Sequence, residues 1–136
     1  MIVEEIMNEI ATEIKTMIPD ATFYKENVES GLKLPSVFIF PVTSESRRLI
    51  GGKEFTKISF AITYIPKSEK SRMECADAME KILKAIRNLK TYRTMERQGE
   101  YDEETAQVTF DVPVRESKVE DVELMRRAEI NIKTNY

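Results

Sequence analysis

Between Tyr64 and Cys75 the chain changes its hydrophobic period, and that change constrains the fold more than any other stretch. Phe55 to Ile65 alternates, with Ile58, Phe60, Ile62 and Tyr64 on one face and Lys57, Ser59 and Thr63 on the other, as a half-buried strand requires. Pro66 cannot donate to a strand ladder and closes the run. Ser71, followed three residues on by Glu74, is the capping-box pattern that opens a helix. From Arg72 to Leu89 the residues Cys75, Ala76, Met79, Ile82, Leu83, Ile86 and Leu89 then recur at helical spacing. Two acid-before-base pairs on its outer face, Asp77–Lys81 and Glu80–Lys84, add only about 0.3 kcal/mol each, so packing on a sheet must hold this helix.

The remaining elements follow the same logic. Ile2, Ile6, Ile10, Ile14 and Met17 or Ile18 form a second helical stripe that Pro19 ends. Thr22 to Glu26, with Phe23 and Tyr24, predicts a short strand, and Gly31 and Pro35 punctuate the loop after it. Ser36 to Ile50 predicts a strand with Phe38, Phe40 and Val42 on one face and Val37 and Ile39 on the other; Gly51-Gly52 turns it into the Phe55–Ile65 strand. Thr91 to Gln98 and Gln107 to Arg115 predict a second antiparallel pair joined through Gly99 to Thr105, and Val122 to Lys133 a helical turn followed by a strand carrying Ala128, Ile130 and Ile132. Pro41 and Pro113 fall inside predicted strands, where a missing N–H fits an edge or a bulge. The expected architecture is a single α+β domain over residues 1–136, a mostly antiparallel sheet with two main helices packed on one face.

Composition sets the outer bounds. A chain of 136 residues with 41% hydrophobic and 33% charged residues suits one ordered, soluble domain. Lys and Arg number 21 against 24 Asp and Glu, a formal charge of −3 that argues against a general nucleic-acid coat while leaving room for a local basic patch. The single Cys75 needs no oxidising compartment. Met1 to Ile18 is interrupted by six charged or amide residues, so neither a signal peptide nor a membrane span is expected.

The chain contains no histidine, which removes Ser-His and Cys-His nucleophilic pairs, the H-E-x-x-H zinc motif and a standard structural zinc site. Glu100, Asp102, Glu103 and Glu104 are the best carboxylate cluster, but they lack the spacing of a calcium loop, and a solvated acidic turn is the stronger reading. Gly51-Gly52-Lys53 lacks the P-loop spacing and a following helix, which leaves a hairpin turn. Cys75, on the apolar stripe of its helix, reads as a small core residue in preference to a reactive thiol. No catalytic residue, cofactor site or metal site is therefore expected.

Thr43 to Lys53 poses a sharper question. Arg47, Arg48 and Lys53 suit either DNA phosphates or acidic subunit surfaces, while a long solvated hairpin end explains the polar residues equally well. Leu49 and Ile50 at the tip keep a covered surface level with the solvated hairpin end, because exposed apolar side chains at a turn call for a neighbour.

Three stretches resemble one family. Val28 to Ile39 (VESGLKLPSVFI), Tyr64 to Cys75 (YIPKSEKSRMEC) and the acidic, Met-containing Glu120 to Met125 leading into Leu124–Ile132 are similar, in order and spacing, to the motifs of phage and prophage tail terminators. The likeness spans residues 5 to 132, and none of its motifs is a catalytic signature. It implies a non-enzymatic virion protein, assembled in the bacterial cytoplasm, that forms a ring, usually of six copies. Such a ring sits at the head-proximal end of the tail, caps the tail tube and presents a surface to the head connector. The implied partners are sister copies, the tube protein and a connector protein. DNA passes through the ring without sequence-specific binding, and no membrane is involved. The residues expected at these contacts are Arg47, Arg48, Leu49, Ile50 and Lys53 on the hairpin and Leu124, Met125, Ile130 and Ile132 in the closing segment. The alternatives are another head–tail adaptor or tail-completion protein, a carboxylate-dependent metalloenzyme and a monomeric binding module.

Overall fold

The structure, a computed structural model, describes residues 2–25 and 31–117, with side chains as far as Val114. Seven elements follow in order: α1 (Ile2–Met17), β1 (Thr22–Tyr24), β2 (Ser36–Arg48), β3 (Lys53–Ile65), α2 (Arg72–Arg87), β4 (Met95–Tyr101) and β5 (Ala106–Ser117). The five strands form one mostly antiparallel sheet in the order β1-β2-β3-β5-β4, and with the two helices this is the expected α+β fold.

The chain divides into two compact units. One contains Met1–Ser44 and Ile58–Pro113; the other contains Glu45–Lys57 and the described residues from Val114 on. In the first unit the core is built largely by two strands and two helical stripes. Ile6, Ile10 and Ile14 of α1, Cys75, Ile82 and Ile86 of α2, Phe60 and Ile62 of β3, and Val108, Phe110 and Val112 of β5 are all fully buried. Side chains of this kind contribute roughly 1.5–3 kcal/mol each by leaving water. Phe60 and Phe110 stack at 5.7 Å, and on the other face Ser59 Oγ donates to Asp111 Oδ1 at 2.6 Å. The two contacts step in opposite directions along β3 and β5, as antiparallel neighbours must.

β1 joins β2 in parallel, setting Phe23 beside Val37 and Tyr24 beside Phe38. Lys15 of α1 lies over the Phe23 ring at 6.0 Å, which places Phe23 and the buried Val37 and Ile39 on the helix-covered face. Tyr24, Phe38 and Phe40 stack in succession on the opposite face, at 5.1 and 6.0 Å. The expected division of β2 into two faces therefore holds, and it is the Val37–Ile39 face that the helices cover.

Both prolines sit in strands that are interior in the sheet order, yet each occupies a local edge. β1 pairs only with Ser36–Phe38, so Pro41 lies beyond its end; β4 reaches no further along β5 than Asp111, opposite Met95, so Pro113 lies past it. A missing N–H leaves no acceptor unmatched on those sides.

The expected strand Thr91 to Gln98 is displaced: β4 begins at Met95 and runs to Tyr101. The residues before it have other partners. Thr91 N–H donates to Glu9 Oε2 of α1 at 2.8 Å, the buried Thr94 hydroxyl donates to the Ile86 carbonyl at 3.0 Å, and Arg97 Nη1 donates to the Thr94 carbonyl at 2.6 Å. These bonds tie down the return from α2 and delay strand pairing, which starts with an irregular register between Met95 and Gln98, where Glu96 takes φ 55°. α2 itself closes two residues before Leu89, with Asn88 N–H donating to the Ala85 carbonyl at 3.1 Å. The predicted closing turn and strand over residues 122–133 lie outside the described residues.

Candidate assembly surface

The second unit contains a hairpin, the arm. β2 from Glu45 and β3 up to Lys57 continue as a hairpin whose ladder closes at the tip, where Leu49 N–H donates to the Lys53 carbonyl at 2.7 Å. Gly51 and Gly52 make the turn at φ 88° and 81°, a region that costs a residue bearing a Cβ roughly 1–2 kcal/mol, so the Gly-Gly pair is a hairpin turn as its spacing predicts. Along the arm the cross-strand pairs are polar. Arg47 lies over the Phe55 ring at 5.4 Å, the Thr56 and Ser46 hydroxyls are 3.5 Å apart, and Lys57 Nζ is 3.8 Å from Glu45. Such exposed pairs fix register more than they add stability. Arg48 and Lys53 are exposed and have no ion pair among the described residues.

Ile50 is 99% exposed at the tip, and Leu49 beside it is half-buried. The structure thus brings Arg47, Arg48, Leu49, Ile50 and Lys53 together on one turn. Leu124, Met125, Ile130 and Ile132 lie outside the described residues. Sequence patterning passed over other exposed apolar side chains, the two most exposed being Met73 in the first turn of α2 (81%) and Val42 on the sheet face away from the helices (58%). Met73 falls off the helical stripe and Val42 ends an alternating run, so each was legible only as a mismatch between residue type and position.

The strand-to-helix junction is structural. Ser71 Oγ accepts from Glu74 N–H at 3.2 Å, the first half of a capping box. The Glu74 carboxylate reaches further back than the motif predicts, accepting from Lys67 N–H at 2.6 Å, Ser68 N–H at 3.1 Å and the Tyr64 hydroxyl at 2.9 Å. Burial pulls its pKa up, but the bonds from Lys67, Ser68 and Tyr64 outweigh that and hold it below the ordinary carboxylate value. Cys75 is fully buried, and desolvation, reinforced by the charges of Asp102 and Glu74, raises its thiol pKa; it is the core residue its stripe position predicts.

A depression of about 260 Å³ is lined by Tyr64, Lys67, Ser68, Glu74 and Lys81 among others, and its Glu74 carboxylate already accepts from Lys67, Ser68 and Tyr64. A shallow depression of about 310 Å³ on the sheet face away from the helices is lined by Val42, Thr43, Ser59, Gln98, Thr109 and Asp111 among others, and its Asp111 already accepts from Ser59. Among the described residues no three His, Cys, Asp or Glu side chains are placed to hold a metal ion. Asp102 of the acidic cluster has its Oδ1 committed to the turn, accepting from Glu104 N–H at 2.7 Å and Thr105 N–H at 2.9 Å. Among the described residues no helix is long and apolar enough to cross a membrane.

The described residues form an α+β fold with an isoleucine 99% exposed at a hairpin tip. A family model described as phage tail terminator protein matches residues 5–123, and the chain belongs to that family. The motif resemblance in its sequence and the family match agree, which makes the protein a phage tail component. No curated protein matches the chain.

Proposed function

We propose that copies of this chain close into a ring, of six by the habit of the family, that caps the growing tail tube at its head-proximal end. The ring ends polymerisation because its outer face no longer offers the contact that the next tube subunit needs, and that face receives the head connector. DNA passes through the channel without base recognition, and no substrate is transformed. The observation that carries this reading is the family match over residues 5–123. The exposed Ile50 tip supports it, because an isolated monomer gains nothing from an isoleucine in water.

A ring of identical copies needs heterologous contacts whose rotation closes. We assign those contacts to the arm, Arg47 to Lys53, and to the segment from Val122 to Tyr136 that contains Leu124, Met125, Ile130 and Ile132. Mass measurement in solution tests the assignment. Leu49→Ala with Ile50→Ala, or truncation after Asp121, shifts the assembly to folded monomer; an unchanged ring rejects it.

A further inference from the structure

We propose that, within the contacts between neighbouring copies, the surface that receives the basic arm of one copy is the acidic β4–β5 hairpin of the next. The inference rests on the ring reading above and names the two surfaces that would meet. Among the described residues β4 is the last strand of the sheet, paired on one side only, and all seven of its residues are exposed. An edge of this kind offers unpaired backbone N–H and C=O groups to another chain unless something covers it.

The turn that follows is acidic and pre-formed. Asp102 N–H donates to the Thr105 carbonyl at 3.0 Å, and Asp102 Oδ1 takes the N–H groups of Glu104 and Thr105. That closed loop presents Glu103 and Glu104 at its tip, with Glu100 just before it. From Gly99 to Thr105 there is no Lys or Arg, and among the described residues Glu100, Glu103 and Glu104 have no ion pair.

The arm carries the opposite charge. Between Ser46 and Lys53 there are three basic residues and no acid. The Arg47 side chain is already laid over Phe55, so less of its freedom is lost on binding. Arg48 and Lys53 remain available. The apolar elements match as well, since Ile50 stands fully in water while Tyr101 and Met95 of β4 are 42% and 38% exposed. A phosphate surface would satisfy the arginines but would leave Ile50 facing charge and water, so a protein edge with exposed Tyr and Met fits the whole tip better. Because a basic tip repels its own kind and an acidic turn does the same, each surface meets its opposite on another copy, and the ring reading requires that contact to repeat head-to-tail and not to be exchanged reciprocally within a pair. Head-to-tail contacts are the kind that build rings.

The test is a charge swap on the full chain, read by sedimentation at low and high salt. Arg48→Glu with Lys53→Glu weakens self-association on the order of 100-fold, as does Glu103→Lys with Glu104→Lys, through like-charge juxtaposition. The chain carrying all four substitutions assembles again, and an equimolar mixture of the two half-reversed chains co-assembles, because each arm then meets an acceptor of opposite sign. Rising salt weakens the wild-type assembly. Assembly indifferent to either reversal, no recovery in the four-fold variant, or loss of DNA binding with assembly intact each overturns the inference. A wild-type chain that stays monomeric at every concentration also overturns it, whereas the ring-capping role is tested separately by tail length.

Discussion

Glu74 shows how one carboxylate holds a junction together. It gathers two backbone N–H groups of the loop and the hydroxyl of Tyr64 at the end of β3, while its own N–H caps α2 on Ser71. Desolvation, then the hydrogen bond to Glu74 and its charge, raise the Tyr64 phenol pKa well above its ordinary range. Glu74→Gln keeps the shape but loses an acceptor and the charge, so a loss of roughly 1–3 kcal/mol in denaturant unfolding is expected. The pH dependence follows from the sign. The folded pKa of Glu74 lies below its ordinary value of 4.5, so its contribution is complete above that value and is lost as pH falls through the folded pKa. The stability gap between wild type and Glu74→Gln therefore closes on acidification below pH 4.5 and is constant above neutrality. Gly99 is a steric counterpart: a Cβ there would come within 2.8 Å of Met79 Cγ and 2.9 Å of its sulfur. Met79 is a flexible side chain that can yield, so Gly99→Ala is expected to cost about 1 kcal/mol and Gly99→Val roughly 1–3 kcal/mol by thermal or chemical unfolding.

At the scale of elements, what was legible in the sequence is what local chemistry determines. Alternation in Phe55–Ile65, the stripe from Cys75 to Ile86, the Ser71–Glu74 cap and the Gly51-Gly52 turn each gave the observed element, because each depends on neighbours within a few residues. The start of β4 did not follow from pattern: Thr91 and Thr94 look like strand residues but bond to Glu9 and to the end of α2, partners separated by up to 82 positions. The parallel pairing of β1 with β2 was hidden for the same reason, since three residues of strand carry no sign of which neighbour they will choose. Of the candidate contact residues, the five on the arm were readable because an apolar pair at a Gly-Gly turn is a local contradiction. If the arm makes the proposed contact, it also separates stability from assembly. Ile50→Ala is expected to change unfolding free energy by less than about 0.5 kcal/mol, since the side chain touches almost nothing in the monomer, while lowering the assembled fraction in a mass measurement. Gly51→Ala and Gly52→Ala act the other way, each costing about 1 kcal/mol of unfolding free energy through the positive φ.

On the scale of the whole molecule, the chain is a member of the phage tail terminator family, and the function proposed for it is contact with other proteins. Its sheet is covered by two helices on one face, its hairpin tip carries an exposed isoleucine, and the acidic turn after β4 has a basic counterpart elsewhere on the same chain. Termination by such a subunit requires one face that matches the last tube layer and another that does not propagate it. The most direct measurement is the length distribution of tails, by electron microscopy, in particles assembled with and without the polypeptide. The account predicts uniform, head-joined tails when it is present and over-long, heterogeneous, headless tubes when it is missing; tubes of equal and uniform length in both preparations would contradict it.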